Sequence, residues 1–132
     1  MAELSKFMKI VLIIDIIAAF IYGIFYLFVP ALYAGLVDPP SYDEHFWRLW
    51  GGTCVSLGIF GIIGFIRNEW TKFKVMIEFV MLWLLITNIL NLASFGYLNR
   101  SAANTISETI DIIVIFFLIG LNLYAYLQEN KK

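Results

Sequence analysis

The chain has 132 residues, of which 61% are hydrophobic and 14% are charged, and its formal net charge is −1. Soluble domains carry about 25% charged residues, so a soluble chain of this size would have too few charges to cover its apolar surface. We therefore expect lipid to cover it. The small net charge and the lack of a basic patch give no indication of nucleic-acid binding. With one cysteine and one histidine, neither an intrachain disulfide nor a zinc or haem site is expected, and no cofactor is identifiable.

Four apolar segments follow one another along the chain, each close to the roughly 20 residues that a helix needs to cross the hydrocarbon core. The alternation of period two that marks membrane β-barrels is absent. The sequence therefore predicts an all-α, polytopic membrane protein, in which residues 1–132 form a single four-transmembrane-helix bundle. The expected transmembrane helices cover residues 7–29, 46–66, 73–98 and 106–127.

The basic residues are distributed unevenly between the two ends of this predicted bundle. One end carries seven of them, namely Lys6, Lys9, Arg67, Lys72, Lys74, Lys131 and Lys132. The other end carries two, Arg48 and Arg100. Because cytoplasmic flanks are enriched in Lys and Arg, we expect a cell-membrane protein with both the N and the C terminus in the cytoplasm.

The connections between the segments differ in length and character. The tight loop over residues 67–74 predicts that the second and third transmembrane helices are antiparallel neighbours. The apolar stretch over residues 31–37 is too short to span the membrane, and we expect it in the outer interface.

Two motifs in these connections match the capping box, in which a Ser or Thr is followed three residues later by Glu. They are Ser41-x-x-Glu44 and Thr105-x-x-Glu108. From them we expect the second transmembrane helix to begin near residue 42 and the fourth near residue 106.

Three polar residues, Asp15, Glu78 and Asn122, fall in the cytoplasmic half of the predicted bundle. A charge in the bilayer core costs about 2.5–3.5 kcal/mol on insertion scales, so each needs an explanation. At 1.5 Å per residue, Asp15 and Glu78 lie roughly 12 and 8 Å deep, with Asn122 at a comparable level. We expect one polar cluster, with a phenol available from Tyr22 or Tyr26 on the Asp15 face. Two carboxyl groups without an intramembrane base indicate a shared proton or an outside cation, and interhelical hydrogen bonding is the structural alternative.

A second polar group is expected in the outer half. Arg48 opens the second transmembrane helix, whereas Glu108 and Asp111 open the fourth. We expect Arg48 to pair with one of these two carboxylates, and Asn88 and Asn91 to donate hydrogen bonds to the same region. Interhelical hydrogen bonds and the helix dipole explain such a group more readily than a catalytic role does.

Small residues recur on one face of the second transmembrane helix. Gly51, Cys54, Gly58 and Gly61 fall within about 80° of one another at 100° per residue. Such a stripe favours close helix packing, and the alternative is room for a flat ligand or a lipid tail. Cys54 is expected to be a packing residue rather than a nucleophile, because no histidine or base shares its depth.

The first half of the chain resembles the small four-helix DoxX-like membrane proteins. The features that carry the resemblance are Pro30 at the end of the first segment, the short apolar stretch after it, and the motif aromatic-Arg-x-x-Gly-Gly at residues 47–52, followed by Gly58. Some members of that family are subunits of quinone-linked oxidoreductases. The resemblance therefore implies a membrane-subunit or accessory role in which Arg48 and the glycines are the shared positions.

Three functional hypotheses follow. The first is a non-catalytic subunit or accessory scaffold of a membrane assembly, quinone-linked as the resemblance implies. Its partners would be the lipid bilayer and either further copies of the chain or other membrane subunits. The second is a small dimeric transporter or proton-coupled carrier that uses Asp15 and Glu78. An enzyme or quinone-binding protein with a site near Arg48 and Asp111 ranks last.

Overall fold

A computed structural model describes residues 3–131 of the chain, which form five helices. They are α1 (Lys6–Leu27), α2 (Pro30–Val37), α3 (Glu44–Arg67), α4 (Trp70–Ser94) and α5 (Ala102–Glu129). Four of them, α1, α3, α4 and α5, are long and apolar enough to cross a membrane, which confirms the all-α prediction with four candidate spans. Helix α2 corresponds to the short apolar stretch. Lys132, one of the basic residues in the charge bias, lies outside the described residues.

Both ends of the described chain, near residues 3 and 131, lie at one end of the bundle, together with the loop between α3 and α4. The backbone of Glu3 forms an isolated antiparallel bridge with Glu69 of that loop. The backbone N–H of Ser5 donates a hydrogen bond to the carboxylate of Glu129, 3.0 Å away. We call this the termini end, and the opposite end, which carries α2 and the α4–α5 loop, the α2 end.

Helix α3 begins at Glu44, two residues later than the capping motif predicts. Its N-cap is Asp43, whose carboxylate accepts a hydrogen bond from the backbone N–H of Phe46 at 3.0 Å. The capping role predicted for Ser41 is therefore wrong. An aspartate carboxylate caps a helix as well as a serine hydroxyl, and Asp43 is the residue directly before the first turn.

Helix α5 begins at Ala102, four residues earlier than predicted. The hydroxyl oxygen of Ser101 caps it by accepting a hydrogen bond from the backbone N–H of Asn104 at 3.1 Å. Thr105, the predicted cap, lies inside the helix and donates its hydroxyl to the carbonyl of Ser101 at 2.9 Å. The capping prediction at Thr105 is wrong because a serine one turn earlier takes the same role.

The small-residue stripe lies on the seam between α1 and α3, the most closely packed helix pair. All of its members are buried, namely Gly51, Cys54, Gly58 and Gly61. A Cβ atom at Gly51 would lie 2.7 Å from the carbonyl carbon of Tyr26, and one at Gly61 would lie 2.7 Å from Cγ1 of Ile16. The absence of a side chain at these positions is what lets the two helices approach so closely.

Helices α3 and α4 are antiparallel, as predicted, but they meet mainly through side chains. Gly64 packs against the ring of Phe73 beside the loop. Farther along, the rings of Trp50 and Trp83 stack with their centroids 5.0 Å apart. The backbones of this pair approach each other much less closely than those of α1 and α3 or of α4 and α5. A gap therefore remains between α3 and α4.

A cluster of buried apolar side chains holds α1, α4 and α5 together at the termini end. Its members are Leu4, Met8, Val11, Leu12, Trp70, Phe73, Ile77 and Ala125. The gap between α3 and α4 is thus bounded at this end by well-packed residues and extends toward the α2 end.

Candidate functional site

A cavity of about 550 Å³ lies between α1, α3, α4 and α5, and we call it the central cavity. Small-molecule sites in proteins typically occupy about 300–1,000 Å³. Its main polar lining residues are Asp15, Asn91, Arg100, Asn104, Glu108 and Asp111. Its tyrosine and tryptophan lining residues are Tyr22, Tyr26, Trp47, Trp50 and Trp83.

The central cavity opens sideways through the gap between α3 and α4. Three of its lining residues are also well exposed on the outside of the bundle: Phe46 at 64%, Ile86 at 50% and Leu90 at 60%. Phe46 belongs to α3, and the other two belong to α4. The opening is therefore flanked by exposed apolar side chains.

Arg100 is the buried arginine of the α2 end. Its side chain is only 6% exposed, lies 3.5 Å from the carboxylate of Glu108, and donates hydrogen bonds to the side chains of Asn104 and Ser94. Its Nε atom is buried and has no hydrogen-bond acceptor. The guanidinium group therefore links the α4–α5 loop to the first turns of α5 beside the central cavity.

Arg48, by contrast, is 46% exposed and lies outside this group. It forms an ion pair with Glu44 at 2.7 Å, one turn earlier on α3, and donates a hydrogen bond to the carbonyl of Leu27 at 2.8 Å. The predicted pairing of Arg48 with Glu108 or Asp111 is therefore wrong. A glutamate four residues earlier on the same helix offers a partner that requires no contact between helices.

Asp111 is held by a phenol from α1. The hydroxyl of Tyr22 donates a hydrogen bond to Oδ1 of Asp111 at 2.7 Å. The ring of Tyr22 stacks on that of Tyr26 with centroids 6.4 Å apart, and Tyr26 lies 5.0 Å from the ring of Trp47. A phenol on this face of α1 therefore donates a hydrogen bond to a carboxylate, as predicted, but the acceptor is Asp111 and not Asp15.

A second, smaller cavity of about 310 Å³ lies on the outside of the bundle between α1 and α5. It shares Ala18, Tyr22 and Asp111 with the central cavity and also touches Tyr33 of α2. Burial, followed by the negative charge of Asp111, raises the pKa of the Tyr33 phenol above its ordinary value. Asp111 thus lies between the two cavities.

The predicted cluster of Asp15, Asn122 and Glu78 is only partly formed. The amide of Asn122, which is fully buried, donates hydrogen bonds to the carboxylate of Asp15 and to the carbonyl of Leu118, both at 3.0 Å. Glu78 is exposed and instead accepts a hydrogen bond from the hydroxyl of Tyr126. It lies on α4 beside the last turns of α5, so Asp15 and Glu78 do not share a hydrogen-bonded site.

The two asparagines of α4 have different surroundings. Asn88 is 1% exposed and donates a 3.5 Å hydrogen bond to the carbonyl of Ile112, next to Asp111, as expected for this region. Asn91 lines the central cavity, and its backbone carbonyl accepts a hydrogen bond from Ser94. Cys54 is buried on the α1–α3 seam and also lines the cavity.

Among the residues that the structure describes, neither of the two aspartates of the central cavity has a cationic partner. Over residues 3–131, the ion pairs are those of Arg48, Lys72 and Arg100, and none of them includes Asp15 or Asp111. In the same part of the chain, no group of three or more His, Cys, Asp or Glu residues is arranged to hold a metal ion. The arrangement can therefore take a ligand by hydrogen bonding, charge and ring contacts.

No protein-family model matches this chain, and neither a curated protein nor a solved structure matches it. The DoxX-like resemblance accordingly stays a prediction, and the central cavity is the feature of the molecule that bears on function.

Proposed function

We propose that this chain is a non-catalytic membrane protein that binds an amphiphilic small molecule in the central cavity, acting as a subunit or accessory protein of a membrane assembly. The observation that carries the proposal is a cavity of about 550 Å³ that has three charged residues at the α2 end and, apart from Asp15, a mostly apolar lining elsewhere. Membrane ligands with a polar head and an apolar body match that division.

The polar part of the cavity suits the head of such a ligand. Arg100, Glu108 and Asp111 lie together near the start of α5. The apolar part is lined from all four long helices, for example by Leu57 and Leu84. The opening between α3 and α4 gives a hydrophobic ligand a path from the bilayer that avoids water.

The outer surface of the bundle supports a membrane location. Many of its large apolar side chains are more than half exposed, such as Leu36 at 67%, Ile66 at 74% and Val75 at 71%. Lipid or neighbouring subunits would cover this surface, whether those are copies of the chain or other membrane proteins. On the charge bias of seven basic residues against two, we place the termini end in the cytoplasm.

The transporter hypothesis has less support from the geometry. It relies on Asp15 and Glu78 as an ionisable pair, but only Asp15 lines the central cavity, and Glu78 is exposed on the outside with Tyr126 as its partner.

Quenching of tryptophan fluorescence tests the proposal. A bromoalkanol quenches tryptophan on contact, and Trp47, Trp50 and Trp83 line the cavity. Titrating the purified protein in neutral detergent should give saturable quenching.

The matched variants for this titration are both on α4. Val80→Phe adds a ring to a cavity-lining position, whereas Val75→Phe adds the same ring to a position that is 71% exposed. We expect Val80→Phe to weaken binding and Val75→Phe to leave it unchanged. Quenching that never saturates, or that is the same in all three proteins, would contradict ligand binding in the cavity.

A further inference from the structure

The charges around the central cavity do not balance. Four side chains that carry a formal charge line it, namely Asp15, Arg100, Glu108 and Asp111. Arg100 and Glu108 form a pair. Within residues 3–131, the other two carboxyl groups receive hydrogen bonds from neutral groups, an amide and a phenol. The lining therefore has three acidic side chains and one basic side chain.

This excess of acidic side chains favours a ligand of positive charge over a neutral or a negative one. A carboxylate taken out of water is costly unless a cation accompanies it, and a cation that enters the same space gains most of its interaction from that carboxylate. An anionic amphiphile would be repelled by both aspartates. A neutral amphiphile would leave both carboxylates without a positive charge nearby. A cationic amphiphile matches the lining.

A series of rings that begins at Asp111 also favours a cation. Tyr22 binds Asp111 directly, Tyr26 stacks on Tyr22, and Trp47 lies 5.0 Å from Tyr26, measured between ring centroids. All three line the central cavity. Ammonium ions bind to the faces of Trp and Tyr rings within about 6 Å, and aromatic cages of this composition recognise quaternary ammonium groups.

The remaining lining can hold the apolar part of such a ligand. Beyond the three rings, the stacked pair of Trp50 and Trp83 and apolar residues such as Leu118 continue the cavity toward Asp15. Asp15 and Tyr22 are seven residues apart on α1, which places Asp15 about 10 Å farther along the helix. Asp111 also borders the cavity between α1 and α5, so the head site lies next to the outside of the bundle.

We propose that the ligand of the central cavity is a hydrophobic organic cation of the alkylammonium class, with its charged head beside Asp111 and the rings of Tyr22, Tyr26 and Trp47. This inference rests on the proposed function, since it requires that the cavity holds an amphiphile. The cation has two sources, a free alkylammonium ion or the ammonium head group of a lipid, and the chemistry of recognition is the same for both.

Competition against the bromoalkanol tests the charge preference. The three competitors have the same chain length and differ in charge: decyltrimethylammonium, decanol and decanoate. We expect the cation to bind the wild-type protein at least about tenfold more tightly than decanol, and decanoate to bind most weakly. Asp111→Asn should remove the preference for the cation. Glu78→Gln, a matched change outside the cavity, should retain it.

A second variant guards against misfolding of Asp111→Asn. Trp47→Leu keeps all the charges and should weaken cation binding about tenfold, with a much smaller effect on decanol binding. If decanol and the cation bind the wild-type protein equally, the cationic ligand class is wrong and the proposed amphiphile site stands. If bromoalkanol quenching is not saturable, both proposals fail.

Nanodiscs separate the two sources. Displacement of decyltrimethylammonium by phosphatidylcholine but not by phosphatidylglycerol would support the proposal with a lipid head group as the ligand. Displacement by neither lipid would support it with a free cation. Displacement by phosphatidylglycerol alone would overturn the charge preference.

Discussion

Gly51 and Gly52 are consecutive residues of α3 whose surroundings differ sharply. A Cβ atom at Gly51 would lie 2.7 Å from the carbonyl carbon of Tyr26 and 2.9 Å from Cα of Leu27, both in the backbone of α1. At Gly52, nothing lies within 4 Å of the same atom. Because backbone atoms cannot rotate away, we expect Gly51→Ala to push α1 and α3 apart.

The expected magnitude follows from comparing the two variants. Replacing glycine by alanine within a helix stabilises it by roughly 1 kcal/mol, and this gain applies equally to both positions. Overpacking costs about 1–3 kcal/mol and applies to Gly51 alone. The free energy of unfolding of Gly51→Ala should therefore be lower than that of Gly52→Ala by about 1–3 kcal/mol.

Unfolding by sodium dodecyl sulfate in mixed micelles, followed by circular dichroism, measures this difference. Gly52→Ala should be at least as stable as the wild-type protein, and Gly51→Ala should be less stable than Gly52→Ala. Two variants of equal stability would show that α1 and α3 do not meet at Gly51, and the seam that supports one side of the central cavity would be wrongly placed.

Unfolding by sodium dodecyl sulfate tests two further predictions, and thiol labelling tests a third. Arg100→Met should cost up to about 3 kcal/mol, because the Arg100 side chain is 6% exposed and that of Glu108 is 26% exposed. Arg48→Met should cost at most about 1 kcal/mol because both members of its pair are well exposed, and equal losses would contradict the assigned partners. Asn122→Leu removes the donor to a cavity carboxyl group and should cost about 1–3 kcal/mol, so unchanged stability would refute that contact. In intact cells, in a cysteine-free background, an impermeant thiol reagent should label a cysteine at Asn99 and not one at Lys131, and the reverse result would invert the proposed orientation.

The parts of the fold that depend on local sequence could be predicted. Long apolar runs indicate the four candidate spans because a transmembrane helix satisfies its own backbone hydrogen bonds. The spacing of Gly51, Gly58 and Gly61 predicts a shared face, and that face lies on the α1–α3 seam. Which helix would pack against this face depends on tertiary contacts, and spacing alone does not determine it.

Residues at the same membrane depth do not have to be partners. Arg48 and Asp111 both lie near the start of a transmembrane helix at the same end of the bundle, yet the partner of Arg48 is Glu44 on its own helix. The spacing Glu44-x-x-x-Arg48 contained that signal. Arg100 precedes the observed start of α5 and lies four positions before Asn104, to which it donates a hydrogen bond. The capping serine between them, once recognised, would have placed this arginine at the helix.

The central cavity could not be predicted from the sequence. It exists because the backbones of α3 and α4 stand apart, with side-chain contacts such as those of Trp50 with Trp83 and of Gly64 with Phe73. Hydropathy assigns these residues to the membrane without indicating whether they face lipid, another helix or an open space. Trp83 lies near the middle of α4, whereas tryptophans of membrane proteins are enriched at the membrane–water interfaces. Its position in the sequence was therefore an indication that it lies inside the bundle.

Native mass spectrometry of the protein with excess decyltrimethylammonium tests ligand binding in the central cavity most directly. The wild-type protein and Val75→Phe should each retain one ligand per chain, and Val80→Phe should retain markedly less. The same spectra report whether the ligand is bound by one chain or by a dimer. Equal retention by all three proteins would contradict a ligand site in the cavity, and retention by none would contradict a cationic ligand.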